Sequence, residues 1–281
     1  MRFPIITIII LAGASCVSAA GGYVPKPNVT MVADLIPENT ISSNPEWLTE
    51  CHDLLYFHTN LGYPFLYPNQ LYTFDGRSDT LTVAISDDGD RLGLHCFQDE
   101  LYSFRGLDQG GGWGLYKYDG KTETFLYDCE QDRLSEHRSY FIEFQSELYF
   151  GLNDKLMKTN GRSVEMVWNL QIDEFYSSNN APFEFVLHHG ELFFIYSDVD
   201  TSLWKFDGVT AVPVANLNGA TGATGDYIFP IVEWLTSFQN HLYFNLGYNS
   251  PHESDNQGLL AKWDGQSVSL EDIDTPLSTD A

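Results

Sequence analysis

Five times in this chain a leucine followed by one or two aromatic residues comes directly after a short polar turn. The copies are Leu55-Tyr56-Phe57, Leu101-Tyr102-Ser103, Leu148-Tyr149-Phe150, Leu192-Phe193-Phe194 and Leu242-Tyr243-Phe244, at spacings of 46, 47, 44 and 50 residues. A short apolar segment precedes each copy (residues 47–51, 92–97, 140–144, 183–187 and 232–238), and a leucine-led segment follows (71–74, 115–118, 156–159, 203–206 and 260–263). Next comes a turn, Asp75-Gly76, Asp119-Gly120, Asn160-Gly161, Asp207-Gly208 or Asp264-Gly265, and then a last β-prone run (80–85, 124–128, 164–170, 211–217 and 267–273). Asp-Gly or Asn-Gly between β-prone runs signals a hairpin, because glycine takes the positive φ of a tight turn at no steric cost. A period of 40–50 residues with four short strands per unit predicts a β-propeller.

The second strand of each unit is apolar at consecutive positions, which suits a strand covered on both faces by neighbouring blades. Calling the strands A to D from the central channel outward, the expected fold is all-β: a five-bladed propeller with repeats near 47–86, 92–128, 140–170, 183–217 and 232–273. Residues 29–35 (VTMVADL) read as one more D strand, so six blades, or an extra N-terminal closing strand, is the alternative.

The first unit carries further signals: Met31-Val32-Ala33-Asp34-Leu35-Ile36-Pro37, then Ser42-Ser43-Asn44-Pro45-Glu46-Trp47-Leu48-Thr49, Asp53-Leu54-Leu55-Tyr56-Phe57 and Leu71-Tyr72-Thr73-Phe74-Asp75-Gly76. Together with Leu203-Trp204-Lys205-Phe206-Asp207-Gly208 and the 259–265 run LLAKWDG, this resembles the ELWxxDGT repeat family across about residues 29–275. The glutamate before Leu-Trp and the threonine after Asp-Gly are missing throughout. The resemblance implies a propeller in an extracellular protein and no activity common to the family.

Residues 1–20 have the order of a secretory signal peptide: Arg2, an apolar run over 5–11, and Val17-Ser18-Ala19-Ala20 as a small-residue cleavage site. The remainder, 21–281, is expected to be one domain that is monomeric and extracellular, or periplasmic in a bacterium. No later stretch is apolar for the roughly 18 residues a membrane span needs. A net charge of −25, from 39 acids against 14 bases, repels phosphate backbones and argues against a nucleic-acid partner. Three cysteines follow the leader, Cys51, Cys96 and Cys129. Cys51 and Cys96 fall near the ends of A strands in adjacent repeats and form the favoured disulfide, leaving Cys129 free.

In a propeller the A–B and C–D turns share one end and the B–C and D–A connections share the other. Here the first set is short, whereas the second is long, acidic and aromatic, and long loops on a rigid scaffold are where binding concentrates. The ring-bearing candidates there are Tyr63, Phe65, Tyr67, Trp113, Tyr227 and Tyr248, whose flat faces suit sugar rings or protein. Asp87, Asp88 and Asp90, and Asp198 with Asp200, are the metal candidates. Short aspartate-rich turns offer the hard oxygens Ca²⁺ takes, although neither fits an EF-hand loop. No cofactor is required by any motif. The expected partner is an extracellular protein or a glycan.

The catalytic alternative is a glycosidase built on the A-strand carboxylates Glu50, Glu143 and Glu233, since glycoside cleavage uses paired carboxyl groups. Counted along their strands these three fall at unequal positions. His188-His189 lies in the A–B turn of the fourth repeat and is expected to be exposed. Lys117, Lys158, Lys205 and Lys262 recur at one C-strand position and are expected to lay their stems along the sheet.

Overall fold

The computed structural model describes residues 45–59, 70–76, 82–85, 91–106, 112–129, 141–170, 181–197, 200–218, 230–248 and 259–271. Residues 1–20 and the 29–35 run lie outside them. All described elements are strands, in five four-stranded antiparallel sheets that follow the chain without crossovers. Blade 1 is β1 (Pro45–Cys51), β2 (Leu54–Thr59), β3 (Leu71–Phe74) and β4 (Thr82–Ile85). Blade 2 is β5 (Arg91–Phe97), β6 (Glu100–Gly106), β7 (Trp113–Tyr118) and β8 (Glu123–Asp128). Blade 3 is β9 (Phe141–Phe144), β10 (Glu147–Leu152), β11 (Lys155–Thr159) and β12 (Val164–Asn169). Blade 4 is β13 (Phe183–His188), β14 (Glu191–Ser197), β15 (Thr201–Phe206) and β16 (Ala211–Asn216). Blade 5 is β17 (Pro230–Phe238), β18 (His241–Tyr248), β19 (Leu259–Trp263) and β20 (Val268–Glu271). The A strands adjoin in the order β1, β5, β9, β13, β17, so the architecture is a five-bladed β-propeller.

Turn chemistry sets the blade ends. Every A–B turn has two residues, both at positive φ: His52 and Asp53, Gln98 and Asp99, Gln145 and Ser146, His189 and Gly190, Gln239 and Asn240. That geometry matches the twist of the flanking strands. Four C–D turns are held by one side chain each. Asp119, Asn160, Asp207 and Asp264 accept through Oδ1 from the backbone N–H groups two and three residues on, at 2.7–3.0 Å. Only a carbonyl-type oxygen is needed, so asparagine serves in blade 3. These backbone donors hold the carboxyls of Asp119, Asp207 and Asp264 below the usual range.

Packing lies between blades. Tyr56, Tyr102, Tyr149 and Phe193, one in each of the first four B strands, face the following blade, and Phe57, Phe150, Phe194 and Phe244 face the opposite way; all are buried. Each large ring removed from water contributes roughly 1.5–3 kcal/mol, which is why no blade is stable alone. Blades 1 and 2 are also joined covalently, by a disulfide between Cys51 and Cys96; Cys129 is buried and lies outside that bond.

The repeated lysines are paired. Lys117 donates to Glu100 at 2.8 Å, Lys158 to Glu147 at 2.7 Å and Lys205 to Glu191 at 2.9 Å, each across the B–C pair of its own blade. In blade 5 His241 takes the glutamate's place, and Lys262 reaches Glu271 at 3.7 Å instead. A deeper ionic cluster sits in blade 2. Glu123 accepts from Arg91 at 2.6 Å and Arg105 at 2.9 Å, and Arg91 also donates to Ser103 at 3.2 Å.

Four A strands carry a bulge. Register shifts interrupt the A–B pairing of blades 1, 2, 4 and 5, with positive φ at Trp47, Gly93, Glu184 and Trp234. The extra residue turns backbone amides out of the ladder, where another blade can bond them. Glu184, buried, accepts from Trp234 N–H at 3.0 Å and Leu235 N–H at 3.3 Å in the next blade.

Candidate functional site

Rungs counted back from the A–B turn align the blades. Glu50 pairs with Leu55 and Glu143 with Leu148, so these two carboxylates share one rung on blades 1 and 3, contrary to the count along the strands. The bulge in β1, and its absence from the described part of β9, accounts for the difference. Cys96, Leu187 and Ser237 complete that rung in the other blades. Glu233 stands apart, beyond the bulge and opposite Asn245. The described inner strands therefore place two of the three glutamates on equivalent rungs of blades 1 and 3, with Cys96 of the Cys51–Cys96 disulfide at that rung of blade 2.

Beside this rung lies His95, whose Nε2 is 3.5 Å from Glu143 Oε1 across blades 2 and 3. That is longer than a well-formed hydrogen bond. Burial pushes the His95 imidazole down and Glu143 opposes it, so the ring is neutral near neutral pH. Glu50, His95 and Glu143 are polar positions on the inner strands of three successive blades, with His95 and Glu143 in contact. The two carboxylates offer acceptors to hydroxyl or amide donors. Cys96, on the same rung as both, is bonded to Cys51.

His188, expected to be exposed, is buried. It closes β13 rather than lying in the turn, and it faces blade 5, where Nδ1 is 2.8 Å from Ser237 Oγ and the ring meets Trp263 edge-on. His189 stacks on it at 4.0 Å and bonds Asn240 at 3.1 Å. Burial, then His189, then His241 lower the His188 pKa, with Glu191 opposing and itself paired to Lys205. A histidine with its folded pKa below the unfolded value of 6.5 contributes in full above that pH and is lost as pH falls below it. Melting temperature should therefore drop between about pH 7 and about pH 5, and His188→Gln should flatten that slope. Thermal melts across this range check it.

At the opposite end, Trp113 opens β7 and rests against the core between blades 2 and 3 with its ring partly buried. Asp200 accepts from the amides of Asn216, at 3.0 Å, and Asn218, which ties it into the entry to β15. Among the described residues no group of three or more His, Cys, Asp or Glu side chains could hold a metal ion. Tyr248 ends β18. Tyr63, Phe65, Tyr67, Tyr227, Asp87, Asp88, Asp90 and Asp198 lie outside the described residues.

Sequence reasoning missed three cross-blade contacts: His95–Glu143, His188–Ser237 and Glu184 on the blade 5 bulge. It also missed the Glu123 cluster within blade 2. A usable signal existed for the lysines alone, since Glu100, Glu147 and Glu191 recur at the first B-strand position.

No family model and no curated protein matches the chain. Solved structures similar to it include a GH74 xyloglucanase from Xanthomonas campestris, at 13% identity and a TM-score of 0.55 over 82% of this chain and 38% of that one. A prolyl endopeptidase, from a study of two such enzymes, follows at 10% identity and a TM-score of 0.52, covering 82% and 35%. This chain spans little more than a third of either, and the likeness is one of fold. No described helix is long and apolar enough to cross a membrane.

Proposed function

We propose that this chain is a secreted, non-catalytic recognition or scaffold module that binds an extracellular protein or glycan through its B–C and D–A end. The observation that carries the reading is the contrast between the blade ends. The A–B and C–D end is made of short turns, and backbone N–H donors of four C–D turns are bonded within the turn by its Asp or Asn side chain. The other end receives the long acidic and aromatic connections, and Trp113 stands at its border. The resemblance to ELWxxDGT repeats and the Cys51–Cys96 disulfide support an extracellular setting, because disulfides persist in oxidising compartments. Ca²⁺ is the cofactor such acids would take. A glycan array and a pull-down from extracellular fractions should yield binding that Trp113→Ala weakens at least several-fold while thermal stability holds. A rise in melting temperature with millimolar Ca²⁺ over EDTA, absent with Mg²⁺, would add the metal to the site.

A glycosidase is the second reading, favoured by one observation: Glu50 and Glu143 stand on equivalent rungs, and His95 lies 3.5 Å from Glu143. Under that reading, reducing ends are released from a polysaccharide panel and Glu143→Gln abolishes the release. Binding without release rejects it.

A further inference from the structure

Among the described residues outside turns, positive φ occurs at the first position of the A-strand bulges: Trp47, Gly93, Glu184 and Trp234. Blade 2 uses glycine, which takes this conformation at no steric cost. Trp47 and Trp234, at φ 58° and 64°, bring a bulky side chain into it, where such a residue is strained. Both belong to one repeated run, Glu-Trp-Leu-Thr, at residues 46–49 and 233–236. In both copies the threonine hydroxyl donates to the tryptophan carbonyl at 3.1 Å. The two copies differ in where the indole goes. Trp47 is partly buried against the apolar clusters of blades 1 to 3, so packing accounts for it. Trp234 stays 58% exposed.

Backbone strain of this kind persists only where the surroundings hold it, and it collects at ligand sites. The holder here is Glu184 of blade 4, a buried carboxylate that accepts the N–H groups of Trp234 and Leu235 at 3.0 and 3.3 Å. Leu235 anchors the second position of the bulge in the core between blades 4 and 5. An exposed indole therefore stands on a backbone fixed at both residues. On the adjacent rung Glu233 lies opposite Asn245, and both are partly exposed. Farther along β17 the hydroxyls of Thr236 and Ser237 and the ring of Phe238 are exposed as well. One strand thus offers two rings, two hydroxyls and a carboxylate, with an amide beside them.

We propose that Trp234 is the stacking platform of a carbohydrate subsite on β17, and that its ligand is a neutral, β-linked pyranose chain. The inference rests on the reading of this chain as a recognition module and adds the inner strand of blade 5 to its binding surface. An extended peptide would have to add to the edge of β17 through its backbone. At the bulge both amide hydrogens already go to Glu184, which blocks that mode. Sugar rings need no such pairing. A pyranose with equatorial hydroxyls lays a flat C–H face on an indole and turns its hydroxyls toward groups such as Glu233 and Asn245. Linkage through equatorial positions keeps such a chain extended along the strand. Charge selects within the class, because Glu233 and the net −25 repel uronic and sulfated chains.

The test titrates cellohexaose, xylohexaose and the α-linked maltohexaose into the full mature chain by calorimetry, beside Trp234→Gly and Trp234→Phe. Glycine is the residue blade 2 carries at this position, so Trp234→Gly should melt no lower than the wild type. The wild type should bind a β-linked hexaose and not maltohexaose. Trp234→Gly should weaken that binding by about tenfold or more, and Trp234→Phe should keep most of it. A fall of several degrees in the melting temperature of Trp234→Gly shows that the indole is packed, and overturns the proposal. Equal binding by wild type and Trp234→Gly, lost in Trp113→Ala, overturns the subsite and leaves the recognition reading standing. So does a wild type that takes none of these sugars yet captures an extracellular protein. Preference for maltohexaose overturns the ligand class, and binding of neither sugar nor protein rejects the subsite and the recognition reading together.

Discussion

Replacing Cys51 and Cys96 together by serine should cost about 4 kcal/mol of stability, because the bond closes a loop of 45 residues and restricts the unfolded chain. For a protein of this size that corresponds to a fall on the order of 10 °C in melting temperature. The loss should appear under oxidising conditions, and a reducing agent should produce the same change in the wild type but none in the double variant. Thermal melts with and without reductant check both. The effect should exceed that of any single core truncation between blades 1 and 2. A truncation there weakens one contact in the folded state, whereas removing the bond also frees the unfolded chain to explore more conformations. A variant as stable as the wild type would show that the two A strands are held by packing alone.

Glu123→Gln should be the most damaging change to a charged side chain in blade 2. Glu123 is the acid shared by Arg91, whose side chain is buried, and Arg105. The substitution keeps the shape and removes the charge that the two guanidiniums face, with an expected cost of about 3 kcal/mol. Glu100→Gln, which breaks a half-exposed pair with Lys117, should cost less than about 1 kcal/mol. Urea unfolding of the two variants side by side measures the contrast. An equal, small effect would mean that solvent reaches the Glu123 cluster.

Much of the architecture was legible in local patterns. A two-residue hairpin turn, an Asx-held C–D turn and a strand apolar on both sides each depend on a few adjacent residues, so the order A-B-C-D and the count of five could be read from the chain. The alignment of one blade on the next could not. Glu50 and Glu143 look unequal when counted along the strands and are equal in the fold, because a bulge at Trp47 adds a residue that no local pattern announces. His188 reads as a turn residue and is buried, because the residue that covers it, Trp263, arrives 75 positions later from another blade. Strand identity and turn type come from near neighbours in sequence. Rung, burial and the partner of each charge come from surfaces that meet only after the blades have packed.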